Sequence, residues 1–348
     1  MKDLTKFFLG ANSHINFVSY FKQLQEQSDS MQLLILKGGP GSGKSSLMKR
    51  VLKYALLHNH EVELIPCASD PESLDAFIDK TADFAMMDGT SPHTQDPSLP
   101  GANHHILYTG DLWDTAYLYK HRSEIKALNG RIGDYHKWAG SYIKAASALL
   151  YENLLYSKKY VNKSAVTSFA NEICKSFSKG SYADEKVRLL SAVSVGEIKY
   201  FKETLPLLAD NIFVIDDEFG GVADFLMKHI KHTAQCLGTQ IISCPCSIMP
   251  EKTDHIIIPD TKIAVVTKNR FLPIDFGEKK SAEELYCKMP DELLLKERQE
   301  DAQKLLSKAC TLVKKAKLLH DDLEDIYKNA MDFSGMDGFF EDIIIINS

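Results

Sequence analysis

The chain has 348 residues, 44% of them hydrophobic, enough to bury the core of one large α/β domain or of two ordinary ones. A net charge of -6 argues against a general nucleic-acid or anionic-membrane surface, and Lys158-Lys159 and Lys314-Lys315 are expected to be solvated helix faces. Seven cysteines without a secretory signal suit a reducing cytosol, Cys244-Pro245-Cys246 lacks the second pair of a zinc site, and the apolar runs at 7–9 and 343–346 are too short to span a bilayer, so a soluble cytoplasmic protein without a membrane partner is expected.

In chain order, Phe8, Phe17, Tyr20, Phe21 and Leu24 are spaced as one helical face after a turn at Gly10-Ala11-Asn12. The apolar run Leu33-Leu34-Ile35-Leu36 then enters Lys37-Gly38-Gly39-Pro40-Gly41-Ser42-Gly43-Lys44-Ser45-Ser46, followed by an amphipathic helix to Leu57. Gly38, four residues, then Gly43-Lys44-Ser45 fit the P-loop pattern, in which backbone N–H groups wrap phosphates, lysine reaches the β and γ oxygens, and serine ligates Mg²⁺. Glycines let the backbone approach an anion closely, and the helix start adds its positive dipole end. The residues expected to bind nucleotide are therefore Gly38, Gly39, Pro40, Gly41, Ser42, Gly43, Lys44, Ser45 and Ser46.

A second strand is expected at 61–65. Ser69 or Asp70 before Pro71 has the chemistry of a helix start. A third strand at 83–87 delivers Asp88, which fits the Walker B role beside Ser45 as a metal ligand. Alternating strands and helices of this length predict a parallel sheet with right-handed crossovers, a three-layer α/β/α unit of P-loop NTPase type. The polar, proline-containing segment 89–101 is expected to run over the carboxyl ends of the strands, where ligands of such sheets bind. Residue 89 is glycine where hydrolytic P-loop proteins often carry a water-activating glutamate. His93 is the candidate replacement, to orient water or sense the γ-phosphate, against the alternative of a loop histidine in solvent. Asp75 recurs at the matching position of a second copy and is expected to be structural; Asp70 does not recur, yet helix capping explains it. Residues 111–180 read as a helical appendage.

From Ile215 the chain repeats the stretch from Leu36, with Leu47-Met48-Lys49 returning as Leu226-Met227-Lys228, Pro66-Cys67 as Pro245-Cys246 and Asp75 as Asp254, at an offset of 179 (226 − 47, 246 − 67, 254 − 75). Tyr20-Phe21-Lys22 matches Tyr200-Phe201-Lys202 one residue later, and Leu155-Tyr156 resembles Ile326-Tyr327 more weakly. Two tandem units are expected, 1–180 with its appendage at 111–180, and 181–348 with its appendage at 281–348. In the second copy Lys44, Ser45 and Asp88 are replaced by Ala223, Asp224 and Thr267, and Asp216, Asp217 and Glu218 would repel phosphate.

The P-loop run, with Cys67-Ala68-Ser69-Asp70-Pro71-Glu72-Ser73-Leu74-Asp75, Asp88-Gly89-Thr90-Ser91-Pro92-His93 and Gly110-Asp111-Leu112-Trp113-Asp114, resembles a family of uncharacterised bacterial P-loop ATPases built from two tandem copies. The resemblance extends over nearly the whole chain and implies ATP binding. It departs from that family in the degenerate second loop. The expectation is an ATP·Mg²⁺ protein with slow or partner-stimulated hydrolysis, Lys44, Asp88 and His93 being its catalytic candidates, and with a protein or small-molecule partner that the sequence does not name. A small-molecule or nucleotide kinase is the alternative, with Arg122 or Arg131 as phosphate clamps; a nucleotide-gated scaffold is the third.

Overall fold

The computed structural model describes residues 4–26, 31–180 and 185–346. The first copy runs through β1 (Thr5–Lys6), β2 (Gly10–Asn12), β3 (Phe17–Ser19), α1 (Lys22–Glu26), β4 (Gln32–Lys37), α2 (Lys44–Leu57), β5 (Val62–Pro66), β6 (Leu74–Asp79), β7 (Phe84–Asp88) and β8 (His104–Tyr108). Three helices follow: α3 (Thr115–Lys120), α4 (Arg122–Lys158) and α5 (Lys163–Cys174). The second copy repeats the series with β9 (Glu185–Val187), β10 (Ser191–Val193), β11 (Ile198–Tyr200), α6 (Leu205–Leu208), β12 (Asn211–Asp216), α7 (Gly221–Leu237), β13 (Ile241–Pro245), β14 (Thr253–Ile258), β15 (Ile263–Lys268) and β16 (Glu278–Ser281). It ends in α8 (Glu292–Asn329) and α9 (Gly335–Ile346).

The two six-stranded sheets have the orders β1-β5-β6-β7-β4-β8 and β9-β13-β14-β15-β12-β16, the same order position by position, so the internal repeat seen in the sequence is also a repeat of topology. The sheets are mixed, not parallel. β4 lies parallel to β7 and β8, but β6 runs antiparallel to both β5 and β7. The cause is the segment expected to begin a helix at Ser69-Asp70-Pro71. There the backbone closes on itself, Asp70 N donating to Cys67 O and Ser73 N to Asp70 O, and Cys67 N pairs with Ser73 O across the two strands. A connection this short cannot carry a parallel crossover, which needs a dozen or more residues. The N-terminal aromatic residues are likewise not one helical face. Phe17 lies in the β2–β3 hairpin, where its ring closes over Gly10 and leaves no room for a Cβ, although Phe8, Phe21 and Leu24 are buried as expected.

Each sheet lays one face on its own helix, Leu36, Leu64, Phe77 and Met86 against α2 and Ile215, Ile256 and Val265 against α7. The other faces enter one shared core that contains Leu33, Ile35 and Met87 of the first sheet and Val214, Ile257 and Val266 of the second. The order of layers is therefore helix, sheet, sheet, helix, which replaces the three-layer unit expected for each copy. Phe8 bridges to Leu189 and stacks on Phe201 at 4.5 Å within that core.

Both appendages are helical, but they are exchanged. α4 and α8, 37 and 38 residues and so each about 55 Å long, lie antiparallel along one another. Leu128 clusters with Leu319, Leu323 and Ile326, Ala139 to Leu150 with Ala302 to Val313, and Asn153 Nδ2 donates to Leu295 O at 2.9 Å. The exchange carries α5 onto α7 of the second copy and α9 onto α2 of the first, where Arg50 pairs with Asp337 at 2.8 Å and lies over the Phe340 ring. Among the described residues no helix is long and apolar enough to cross a membrane.

Candidate functional site

The site begins with the geometry of one turn. β4 delivers Lys37 at its carboxyl end, and α2 starts at Lys44 from an N-cap, Gly43, held at φ +82 with no side-chain acceptor. A side chain would resist that backbone conformation, and without a capping acceptor the first-turn N–H groups are left to face the loop. Lys44, only 8% exposed, folds back so that its Nζ donates to Gly38 O at 3.0 Å and Gly39 O at 2.8 Å, 3.5 Å from Asp88 Oδ2. Ser42 Oγ donates to Gly39 O, and Thr109 Oγ1 can donate to Ser42 Oγ or Lys37 O, so the segment after β8 braces the loop from behind. Gly38, Gly39, Pro40 and Gly41 are half-buried, whereas Ser46 is exposed in the first turn of α2. Lys37 Nζ donates to Gly89 O and pairs with Asp96, which holds the segment after β7 at the carboxyl end of β4, as expected.

The two metal candidates come from one strand and one helix, Asp88 at the end of β7 and Ser45 in the first turn of α2. Asp88 Oδ1 accepts from Thr90 N and Thr90 Oγ1, closing the Asp88-Gly89 turn, while Oδ2 faces Lys44. Ser45 Oγ accepts from Leu74 N at 3.0 Å, so the start of β6 abuts the first turn of α2. One hydroxyl and one carboxylate suit Mg²⁺, which keeps most of its shell for phosphate and water. Among the described residues no three His, Cys, Asp or Glu side chains gather into a metal cage of their own.

His93 is not a solvent-facing loop residue. It is 6% exposed, its ring stacks on Phe21 at 4.6 Å, and neither ring nitrogen has a hydrogen-bond partner. Burial pushes its pKa down, against the pull of Asp88, so the imidazole is neutral at pH 7. Its Nε2 lies 3.7 Å from Asp75 Oδ1. The residue that sequence reasoning underrated is Asp75 itself: burial first, then the charges of Asp88 and Asp70, raise its carboxyl to about 8. The neighbouring Cys67 thiol is pushed well above its ordinary range, again by burial first. The available signal was a carboxylate inside the otherwise apolar run Leu74 to Ile78. Asp70 caps no helix; its carboxylate pairs with Lys317 of α8 at 3.3 Å.

The second copy's last helices cover the loop. A Cβ at Gly39 would lie 3.1 Å from the Tyr327 ring and 3.3 Å from that of Trp113; one at Gly41, where φ is +68, would lie 2.5 Å from the backbone oxygen of Glu324. At Gly43 the neighbours are Met336 and Phe333. Arg122 does not clamp the loop, because its Nη1 donates to Tyr119 O and its guanidinium lies over the Tyr119 ring, and Arg131 is exposed on α4.

The equivalent place in the second copy is filled from within. Four residues, Asp217 to Gly220, join β12 to α7, where six, Gly38 to Gly43, join β4 to α2. Asp217, 1% exposed, accepts from Gly220 N and Tyr286 Oη at Oδ1 and from Ala223 N at Oδ2, so a carboxylate takes the helix start that phosphate would need. Asp224 pairs with Lys158 at 2.7 Å and Lys228 at 2.9 Å; burial alone would raise its pKa, but the two lysines hold it below the usual range. Lys158 is therefore an ion-pair partner and not a solvated face. Leu154 and Ser157, near the end of α4, abut Gly220 and Gly221, the counterpart of Glu324 and Tyr327 at the first loop.

No protein-family model, curated protein or solved structure matches the chain.

Proposed function

We infer that the chain binds one nucleoside triphosphate with Mg²⁺, ATP being the expected ligand, in the first copy, and hydrolyses it slowly unless a partner accelerates it. The observation that carries this reading is Lys44, held on the loop carbonyls 3.5 Å from Asp88 at the uncapped start of α2. In this reading the α2 N–H groups receive the phosphates, and Lys44 leaves Gly38 O and Gly39 O for the β and γ oxygens. Ser45 and Asp88 would hold Mg²⁺, which would neutralise charge developing on the phosphates. Asp75 keeps its own proton at neutral pH and is no base there, so His93, neutral and with both ring nitrogens unpartnered beside it, is the group left to orient the attacking water. The second loop takes no nucleotide because Asp217 holds the helix start. Calorimetric titration with a nonhydrolysable ATP analogue and Mg²⁺ is expected to give one site per chain; a value near two would overturn the account of Asp217. Labelled ATP then separates release of phosphate from its transfer.

The scaffold reading has an observation in its favour, since α8 joins the two loops physically: Gln299 Nε2, near its start, donates to Glu218 O, and Glu324, near its end, abuts Gly41. Nothing in the geometry favours the kinase reading: Arg122 is engaged by Tyr119, and Arg131 is exposed on α4.

A further inference from the structure

We propose that the second copy supplies the base-binding surface of the first copy's nucleotide, through the ring of Phe333. The proposal rests on the nucleotide reading of the loop and adds to it which residue holds the nucleobase. The sheet order fixes the direction in which the ligand must lie. β4 is flanked by β7, which ends in Asp88, and by β8. Ser45 and Asp88 mark the β7 side as the metal end, where the β and γ phosphates sit, so the α phosphate and nucleoside leave on the β8 side. Trp113 and Tyr327 lie beside Gly39, and the Glu324 backbone beside Gly41.

On the β8 side the chain after β8 is tied to the α8–α9 turn. Asp114 N donates to Ala330 O at 2.7 Å, Asp332 N donates to Leu112 O at 2.9 Å, and Trp113 bridges to Met331. The turn is closed further by Ser334, whose N and Oγ both donate to Asp332 Oδ1. This fixed turn presents Phe333 with 47% of its surface exposed, its Cε1 3.5 Å from where a Cβ on Gly43 would stand. Its neighbour Met336 is buried against the same glycine. An aromatic ring left half in water on a backbone pinned at both sides, beside the start of α2, offers a stacking face. Every nucleobase has a π face, so the ring selects for a base as such and not for adenine over guanine.

The test uses the full chain and two ligands, a nonhydrolysable ATP analogue and inorganic tripolyphosphate, each with Mg²⁺, measured by calorimetry. Phe333→Ala is expected to weaken the ATP analogue roughly 10- to 100-fold, the scale of one base stacked on an aromatic side chain, and to leave tripolyphosphate unchanged. Phe333→Trp is expected to restore the analogue's affinity. Analogue binding unchanged in Phe333→Ala overturns the proposal alone, and so does an equal loss for both ligands, which would make the ring a prop for the loop. A native chain that binds neither ligand overturns the nucleotide reading and the proposal with it.

Discussion

Alanine at Gly41 should cost far more than alanine at Gly101, although both glycines hold positive φ, +68 and +75. At Gly101 a Cβ would have nothing within 4 Å, so the substitution costs only the left-handed backbone, about 1–2 kcal/mol. At Gly41 the same Cβ would meet three backbone atoms of Glu324, the oxygen at 2.5 Å and both Cα and C at 3.1 Å. A backbone inside a helix cannot rotate away as a side-chain tip can, so α8 must shift or the loop must, an overpacking cost of about 1–3 kcal/mol more. The expected losses are about 1–2 kcal/mol at Gly101 and about 2–5 kcal/mol at Gly41. Urea denaturation of both variants, followed by the fluorescence of Trp113 and Trp138 and by circular dichroism, measures the difference. Equal losses would refute the seating of α8 on the Gly38–Gly43 turn.

Lys44→Ala should weaken Mg²⁺-dependent ATP binding by about 1.5–3 kcal/mol for each charge-assisted hydrogen bond lost, with circular dichroism unchanged; calorimetry decides. His93→Ala should lower turnover by about 10²-fold while ATP affinity changes little, and fast hydrolysis insensitive to it would place the proton transfer elsewhere. Asp75 provides a pH test. Its carboxyl holds a proton up to about 8 in the folded chain, whereas the unfolded chain releases it near the ordinary carboxylate value, so the native state binds the extra proton between about pH 4 and pH 8 and this residue's contribution to stability falls as pH rises through that window. Asp75→Asn should therefore gain stability relative to the native chain between pH 5 and pH 8 in paired urea titrations; a constant difference would refute the shifted carboxyl.

What sequence could disclose depended on how local the cause was. The turn from Lys37 to Ser45 was legible because its glycines, lysine and serine have fixed places within a few residues of one another, and Asp88 because it ends an apolar strand. The repeat was legible because Leu226-Met227-Lys228 and Cys246 kept their spacing, and the structure places equivalent residues on, or just after, equivalent elements. β6 was misread because Asp70-Pro71 satisfies helix-start chemistry just as well as a tight turn, and only the partner strands β5 and β7 decide between them. His93 looked like a loop residue because Phe21, which buries it, lies some seventy residues earlier. The exchange of α5 and α9 has no local signature, since an apolar stripe shows that a helix packs but not onto which copy. Leu155-Tyr156 and Ile326-Tyr327 were the one hint, and they prove to stand near the two helix ends that reach the opposite loops.

The seating of α9 on α2 also sets the order of events during synthesis. α2 leaves the ribosome about 290 residues before the helix that covers it, an interval of roughly 15 to 60 s at about 5–20 residues per second. Throughout that interval Leu47, Met48 and Val51 have their own sheet but not Met336 and Ile343, which complete their cluster. Until α9 is made, the first copy thus carries an uncovered apolar stripe beside its Gly38–Gly43 turn, and α9 is the helix that seals it.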